Sequence, residues 1–430
     1  MGARGSFAPP APQKYRPLPL QHPEGSGPEF KQAEGRGVGV WRPTAFFRIL
    51  LGAQACGQAK DSDVTETYHM IEYIREGPQA LRRTLESNEA GIQSLIEEVR
   101  RRGIQRLVVS GVGSSFTAAL MAAPIFRYHS SLPVHILPST AHGYYASRLI
   151  DERSLVVVVS RSGERDWVVN ALKEAVERGA YGVAMTGVAD SLLAQQGQVT
   201  LLTQEGPEIT FPKTKSVVTC AGLLMRLGLA LASPDDEEAS ERLKTLRALP
   251  AKMEKTIGKA EPEIRSLMPS LVPHKVVVVG GTGSNYGVAM EAAVKLQETA
   301  YVPTLADDTG NVFHGPLGPV DRDWLIIPLV TAMDLRLSKQ LLQLAGRFGA
   351  HRMAVVEPGL DLEGLADFSV TIPERADPLL AALLFLPPMQ LLTYYWTVAR
   401  GMNPDEPSVM RDMLDAMLPP GREEPELRRG

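Results

Sequence analysis

Three charged residues, Glu291, Lys295 and Glu298, follow one another at intervals of four and three. On a helix that spacing aligns them as carboxylate, ammonium, carboxylate along one face. Ala289, Ala292, Ala293 and Val294 beside them are small and apolar, so the other faces belong in a core. By itself such a stripe is also what a solvated row of ion pairs looks like. The stretch 308–316, DTGNVFHGP, adds a proton carrier: Gly315 and Pro316 hold His314 in a stiff loop rather than on a regular element. Imidazole, carboxylate and ammonium together meet the needs of sugar isomerisation. The imidazole opens the ring, the carboxylate moves a proton between C1 and C2, and the ammonium attends the exchange between O1 and O2. That chemistry calls for no metal and no cofactor.

A second set of residues could hold the substrate. Gly111-Val112-Gly113-Ser114-Ser115 and Ser160-Arg161-Ser162-Gly163-Glu164-Arg165 both follow β-branched apolar runs and precede helical stretches. In a parallel sheet, turns of this kind meet at the carboxyl ends of the strands, where ligands bind. Serine hydroxyls and backbone N–H groups at two helix N-termini make a neutral, donor-rich pocket suited to a phosphate monoester held without a metal. Either turn alone would also serve as a helix cap. Their pairing within one α/β pattern favours a ligand. Neither a Walker lysine motif nor a complete GxGxxG occurs, which disfavours a nucleotide.

These residues need a scaffold, and the chain writes it twice. Residues 107–123 read LVVSGVGSSFTAALMAA and residues 276–293 read VVVVGGTGSNYGVAMEAA, with Gly113 and Gly283 in equivalent places 170 residues apart. Each is a buried strand, a glycine turn and an alanine-rich helix start. The first unit predicts strands at 106–110, 133–138, 154–160, 181–186 and 198–203, with helices at 115–127, 140–150, 166–178 and 214–232. The second predicts strands near 275–280, 301–305, 324–330, 351–355 and 368–372, with helices at 285–300, 335–348 and 378–399. Ahead of the first unit, 68–76 and 81–102 have helical spacing with Gly77-Pro78 as the break, and 238–271 is helix between the units. Strands alternating with helices give an α/β fold of two tandem units. Each is a parallel sheet flanked by helices on both faces, a flavodoxin-like three-layer sandwich. The expected limits are an extension at 1–64, a first domain with its helical lead-in at 65–237, a second at 238–402 and a tail at 403–430 with one short helix at 408–417. After strand 324–330 the second unit reads Thr331-Ala332-Met333-Asp334 without a glycine, so only the first half is expected to keep the cradle.

Composition narrows the class. Of the 430 residues, 44% are apolar and 22% charged, enough to bury large cores. A net charge of −4 argues against nucleic acid as a partner. Cys56 and Cys220 can build neither a disulfide framework nor a metal set, so the expected location is a reducing cytoplasm. No apolar run reaches the roughly 18 residues of a membrane span, so no membrane partner is expected. Residues 1–60 carry eight Lys/Arg against three Asp/Glu and are rich in Pro and Gly. They read as a disordered tail or an over-long start assignment.

From Tyr68 to about Pro407 the chain resembles the tandem sugar-isomerase (SIS) domain family, nearest the isomerase half of glucosamine-6-phosphate synthase. The resemblance rests on the lead-in HMIEYIREGPQALRRTL, on SRSGE at 160–164, on Glu208-Ile209 with Thr214-Lys215, and on AMEAAVKLQETAYV followed by HGPLGPVD. It implies that Ser114, Ser115, Ser160 and Ser162 hold substrate phosphate or hydroxyls, with Gly113, Gly163, Arg165 and Lys215 completing the binding set. It implies further that Glu298 is the C1/C2 base, that Lys295 assists at the oxygens, that His314 opens the ring and that Glu291 is structural. In that family the histidine serves a neighbouring subunit, which implies an obligate homodimer with shared sites.

Departures from the pattern redirect the expected activity. No nucleophilic cysteine follows Met1, and the first 60 residues cannot replace a glutaminase domain. The family's C-terminal Schiff-base lysine falls near Arg411 and Asp412 here. Arg165 stands where a small hydroxyl residue is usual, and Lys213 where a polar one is. The expected function is an enzyme acting on a ketose or aldose amine phosphate, as deaminase, deglycase or isomerase. The alternatives are an isomerising aminotransferase that uses ammonia and a sugar-phosphate sensor without chemistry. A sensor has no need of the Glu298/His314 pair.

Overall fold

The computed structural model describes residues 68–410 and 413. The expectations for residues 1–60, for Cys56, for Arg411 and Asp412, and for most of the helix at 408–417 lie outside them. Two lead-in helices, α1 (His69–Ser87) and α2 (Glu89–Arg102), precede the first sheet. That sheet is built from β1 (Arg106–Gly111), β2 (Val134–Pro138), β3 (Ser154–Val159), β4 (Tyr181–Thr186) and β5 (Val199–Leu202). Helices α3 (Ser114–His129), α4 (Asp166–Glu177), the short α5 (Leu192–Gln196) and α6 (Lys215–Ala230) connect and cover it. The 35-residue α7 (Glu237–Leu271) leads into the second sheet. There β6 (Val276–Gly281), β7 (Thr304–Asp307), β8 (Trp324–Val330), β9 (His351–Val356) and β10 (Phe368–Thr371) alternate with α8 (Ser284–Thr299), α9 (Leu335–Arg347) and α10 (Ala382–Ala399).

Both sheets are parallel throughout. Their orders, β2-β1-β3-β4-β5 and β7-β6-β8-β9-β10, are the same order used twice. The central strands are buried over most of their length, as parallel strands with helices on both faces must be: β3 (Ser154–Val159) is SLVVVV and every residue in it is buried. One large apolar cluster joins the inner faces of both halves, carrying Leu107, Leu155, Val277 and Leu325 together with Phe126, Phe385 and Trp396. Smaller clusters lie under the outer helices, around Val156 and Leu172 in one half and Ile326 and Leu341 in the other. Among the described residues no helix is long and apolar enough to cross a membrane.

Four local expectations need correction. Helix α1 runs through Gly77 and Pro78 without a break and ends at Ser87. An interior proline costs a helix about 3 kcal/mol, but Met70, Ile74, Leu81 and Leu85 are buried on the same face and outweigh it. Residues 140–150 form two 3₁₀ turns, Ser139–Ala141 and Ala146–Leu149, rather than a helix. Gly143 sits between them, and Tyr144 and Tyr145 project into solvent, so no continuous buried face exists to hold a helix there. Strand β7 begins at Thr304, not 301, because Val302 N still donates to Leu296 O (3.3 Å) to close α8 and Tyr301 has φ +50. Helix α10 begins at Ala382, four residues later than the apolar pattern suggests.

Candidate active site

The order β2-β1-β3 means that the chain leaves β1 in one direction and β3 in the other. The loops after these two strands therefore part, and they open a crevice at the carboxyl end of the sheet. A cavity of about 250 Å³ occupies that crevice. One wall is the turn after β1, with Val112, Ser114 and Ser115. A second is the turn after β3, with Ser160, Arg161, Ser162 and Arg165. A third is the loop Ile209, Thr210, Phe211 and Lys213, and the fourth is Lys295 and Glu298 from α8.

The β3 turn is shaped by its own side chains. Ser160 Oγ accepts a hydrogen bond from Gly163 N (3.2 Å), and Thr186 Oγ1 donates to Arg161 O (3.1 Å). Gly163 has φ +69, and a Cβ there would overlap Ser191 Oγ, so only glycine fits. Glu164 turns away to accept from Leu192 N (3.2 Å). Gly113, with φ +56, precedes α3 as its cap residue.

The fourth wall comes from the second half, and a helix crossing puts it there. At Gly287 the backbones of α8 and α3 touch: a Cβ would lie 2.5 Å from Met121 N and 2.8 Å from Thr117 O. One turn later Glu291, wholly buried, accepts from Thr117 Oγ1 (2.5 Å) and Ser114 Oγ (3.0 Å). One further turn brings Lys295, whose ammonium is 3.5 Å from Glu291 and 2.7 Å from Glu298. Burial raises the pKa of Glu291, against the charge of Lys295 and the two hydroxyl bonds. For Lys295 burial disfavours the charge, but Glu291 and Glu298 outweigh it and hold the ammonium above the usual lysine range. A lysine held as the ammonium is a hydrogen-bond donor with no lone pair. Glu298 stands beside it at the cavity surface.

The third wall hangs on Glu208. This buried carboxylate accepts from Thr214 N (2.7 Å), Thr214 Oγ1 (3.0 Å), Lys215 N (2.9 Å) and Ser216 N (3.3 Å), capping α6. Burial works against its charge, yet Lys213 and these donors lower its pKa. Lys213 Nζ donates to the carbonyls of Glu208 (2.9 Å) and Thr210 (2.7 Å), which fixes the ammonium on the cavity wall. The tail reaches the same loop. Asp405 O accepts from Phe211 N (2.9 Å), and the Asp405 carboxylate accepts from His69 N and Met70 N (2.8 Å each) at the start of α1.

Ser114, Ser115, Ser160, Ser162, Arg165, Lys295 and Glu298 thus meet at one cavity, with Gly113 and Gly163 shaping its turns. Two expected residues stand apart. Lys215 is buried with its ammonium 2.6 Å from Glu76 and 4.1 Å above the Tyr73 ring, joining α6 to α1. His314 is exposed and is not among the residues lining the cavity. Its loop is fixed by Asp308 O, which accepts from Asn311 N (2.8 Å), and by Gly315 with φ +132. Val112, Arg161, Ile209, Thr210, Phe211 and Lys213 also line the cavity, outside the expected binding set. The Glu208…Thr214 pairing was the signal for four of them, because a carboxylate capping the next helix must fold the residues between into a loop.

Known proteins share this fold. The family model described as "SIS domain" matches residues 102–230 and 270–400. A glutamine–fructose-6-phosphate aminotransferase (isomerizing) of Caldanaerobacter subterraneus subsp. tengcongensis is 29% identical over 355 residues, covering 79% of this chain and 57% of that protein. The chain therefore spans somewhat more than half the length of such relatives. The C-terminal domain of glucosamine-fructose-6-phosphate aminotransferase from Francisella tularensis superposes with a TM-score of 0.71 at 21% identity, covering 80% of this chain and 99% of that one. Glucosamine-6-phosphate deaminase from Thermotoga maritima gives 0.63 at 23% identity, covering 79% and 97%. These two structures share the fold. With both sheets, both glycine turns and 60% of its length matched by the family model, the chain belongs to the SIS domain family.

Proposed function

We propose that this protein is a phosphosugar enzyme that moves a proton between C1 and C2 of a ketose or aldose amine phosphate, as a deaminase, deglycase or isomerase. The observation that carries the proposal is the Lys295–Glu298 pair (2.7 Å) on the wall of the cavity that the serine turns also line. The turns hold the phosphate through hydroxyls and through the N-termini of α3 and α4. The sugar then extends toward α8. With the ring open, Glu298 takes the proton from C2 of an aldose amine, and the electron pair moves toward C1–O1. Lys295 donates to that oxygen, and Glu291 keeps it charged. Glu298 returns the proton to C1, leaving an imine at C2. Water adds there and the amine departs, giving the ketose phosphate. Ring opening is assigned to His314 of a second copy of the chain, as the resemblance to the family implies; in its own copy His314 is exposed and outside the cavity lining.

The test is turnover with glucosamine 6-phosphate, with fructose 6-phosphate plus ammonia, and with phosphorylated fructosamines, scoring release of ammonia or amine and aldose–ketose exchange. At least one should react, and Glu298→Gln should abolish it. Tight binding of sugar phosphates with no turnover of any would make the protein a sensor instead.

A further inference from the structure

The third wall of the cavity is a loop without a helix or strand of its own, so its backbone is held from outside. Two of its N–H groups lead back to α1. Ile209 N donates to the Tyr73 hydroxyl on that helix (3.5 Å), and Phe211 N, on the cavity lining, donates to Asp405 O (2.9 Å). Asp405 is itself fastened to α1. Tyr68, in the cap position of the helix, makes no side-chain cap bond. The Asp405 carboxylate takes that part from the other end of the fold, accepting from His69 N and Met70 N (2.8 Å each). The segment around Asp405 is stiff. Asn403 Oδ1 accepts from Asp405 N (2.8 Å) and Glu406 N (3.3 Å), and the buried Pro404 and Pro407 fix their own φ. The same segment meets α8 just past Glu298. Val409 N donates to the Tyr301 hydroxyl (3.1 Å), and Arg400 Nη1 donates to Ala300 O (2.8 Å). Tyr301 has φ +50, a left-handed conformation that a bulky residue keeps only where its surroundings hold it. Of the described residues 400–409, none lines the cavity. They grip the third wall at Phe211 and the helix of the fourth wall at its end.

We infer that residues 400–409 are a clamp that sets the third wall against the fourth, and that Asp405 is its pivot, a positioning residue that acts on the site without touching substrate. The inference rests on the phosphosugar reading above and adds to it a residue outside the cavity. Removing the carboxylate frees the clamp from α1, and the loop with Phe211 loosens with it. Removing the Tyr301 hydroxyl loosens the end of the helix that carries Lys295 and Glu298. The first change should be felt in holding the sugar phosphate and the second in the proton step.

The experiment compares Asp405→Ala, Asp405→Asn and Tyr301→Phe with the wild type, all as full chains. Steady-state kinetics with the substrate that reacts are paired with Kd for fructose 6-phosphate by calorimetry and with hydrogen exchange of peptides spanning 208–214. Asp405→Ala should raise KM and Kd about 10-fold while lowering kcat less than about 3-fold. It should also speed exchange in 208–214 about 10-fold, with β1 and β3 unchanged. Asp405→Asn keeps one acceptor oxygen for the helix and should show the same pattern at about 2–4-fold. Tyr301→Phe should lower kcat about 3–10-fold with KM near the wild-type value. Faster exchange in Asp405→Ala with KM, Kd and kcat all at wild-type values would make Asp405 a structural residue only and overturn the inference. If Asp405→Ala fails to fold, Asp405→Asn decides by the same split, and wild-type KM and Kd in that variant overturn the inference. If the wild type turns over no substrate, the phosphosugar reading fails as an enzyme, and the Kd of Asp405→Ala for fructose 6-phosphate still decides whether the clamp positions the wall.

Discussion

The two halves have the same strand order and the same turn positions, but the turns of the first line a cavity while a turn of the second is filled by side chains of the chain itself. In the first, the turn after β3 is Ser160-Arg161-Ser162-Gly163, and both serines reach the cavity lining. In the second, the turn after β8 is closed by carboxylates of the chain itself. Asp334 accepts from Thr331 N and Thr331 Oγ1 (2.8 Å each), while Glu357 accepts from Ala332 N (3.1 Å) and Ala376 N (3.2 Å). The donors that a parallel sheet gathers at its switch point must be satisfied by something. A built-in Asp or Glu ends the matter, whereas serines and a glycine leave room for a ligand's oxygens. The half with the closed turn supplies the helix that carries Lys295 and Glu298.

Substitutions can break or sharpen this contrast. The largest effect belongs to the reacting pair: Glu298→Gln should lower kcat about 10³-fold with little change in KM, as measured by steady-state kinetics. Next is Gly163→Ala, where a left-handed φ and a clash with Ser191 together should cost about 2–4 kcal/mol in urea unfolding. The same change at Gly283, with φ +63 and only the flexible end of Met333 at 3.2 Å, should cost less than half as much.

Opposite pH responses should separate the carboxylates of the two halves. Glu208 has a lowered pKa, so its contribution is present above its ordinary value of 4.5 and is lost as pH falls through the lowered one. Glu208→Gln should therefore cost about 1–3 kcal/mol near pH 7, with the gap to wild type closing in acid. Asp334 has a pKa raised by burial, so its contribution is full below 3.8 and declines as pH rises through the raised value. Asp334→Asn should compare best with wild type at the higher pH, and it should leave KM unchanged. The smallest effect is Ser162→Ala, a rise in KM of about 5–10-fold with a smaller loss in kcat and stability near wild type. Equal losses in both kinetic parameters would deny Ser162 the part of a phosphate anchor.

Much of this was legible before the fold. Unbroken runs such as SLVVVV and VVVVGG marked central strands, since only a parallel sheet buried on both faces tolerates them. The repeated glycine turn pointed to the first wall, and the Glu291/Lys295/Glu298 spacing to the fourth. What stayed hidden depends on tertiary contact. Gly287 looks like any helix glycine until α3 is seen lying against it. Lys215 follows a cavity loop in sequence, yet its side chain turns back to Glu76, 139 residues away. Ser114 reads as a ligand donor, but its hydroxyl is already given to Glu291. Pro78 predicted a break because local propensity is all that a single segment displays.

The central claim is that Glu298 carries a proton at the sugar carbons above the serine cradle. Its most direct test is deuterium wash-in. Fructose 6-phosphate and glucosamine 6-phosphate are incubated with the protein in ²H₂O, and the C1 and C2 protons are followed by NMR. The wild type should exchange protons of at least one of them, and Glu298→Gln should slow that exchange at least 100-fold while still binding the sugar phosphate. Exchange by Glu298→Gln at the wild-type rate would contradict the account.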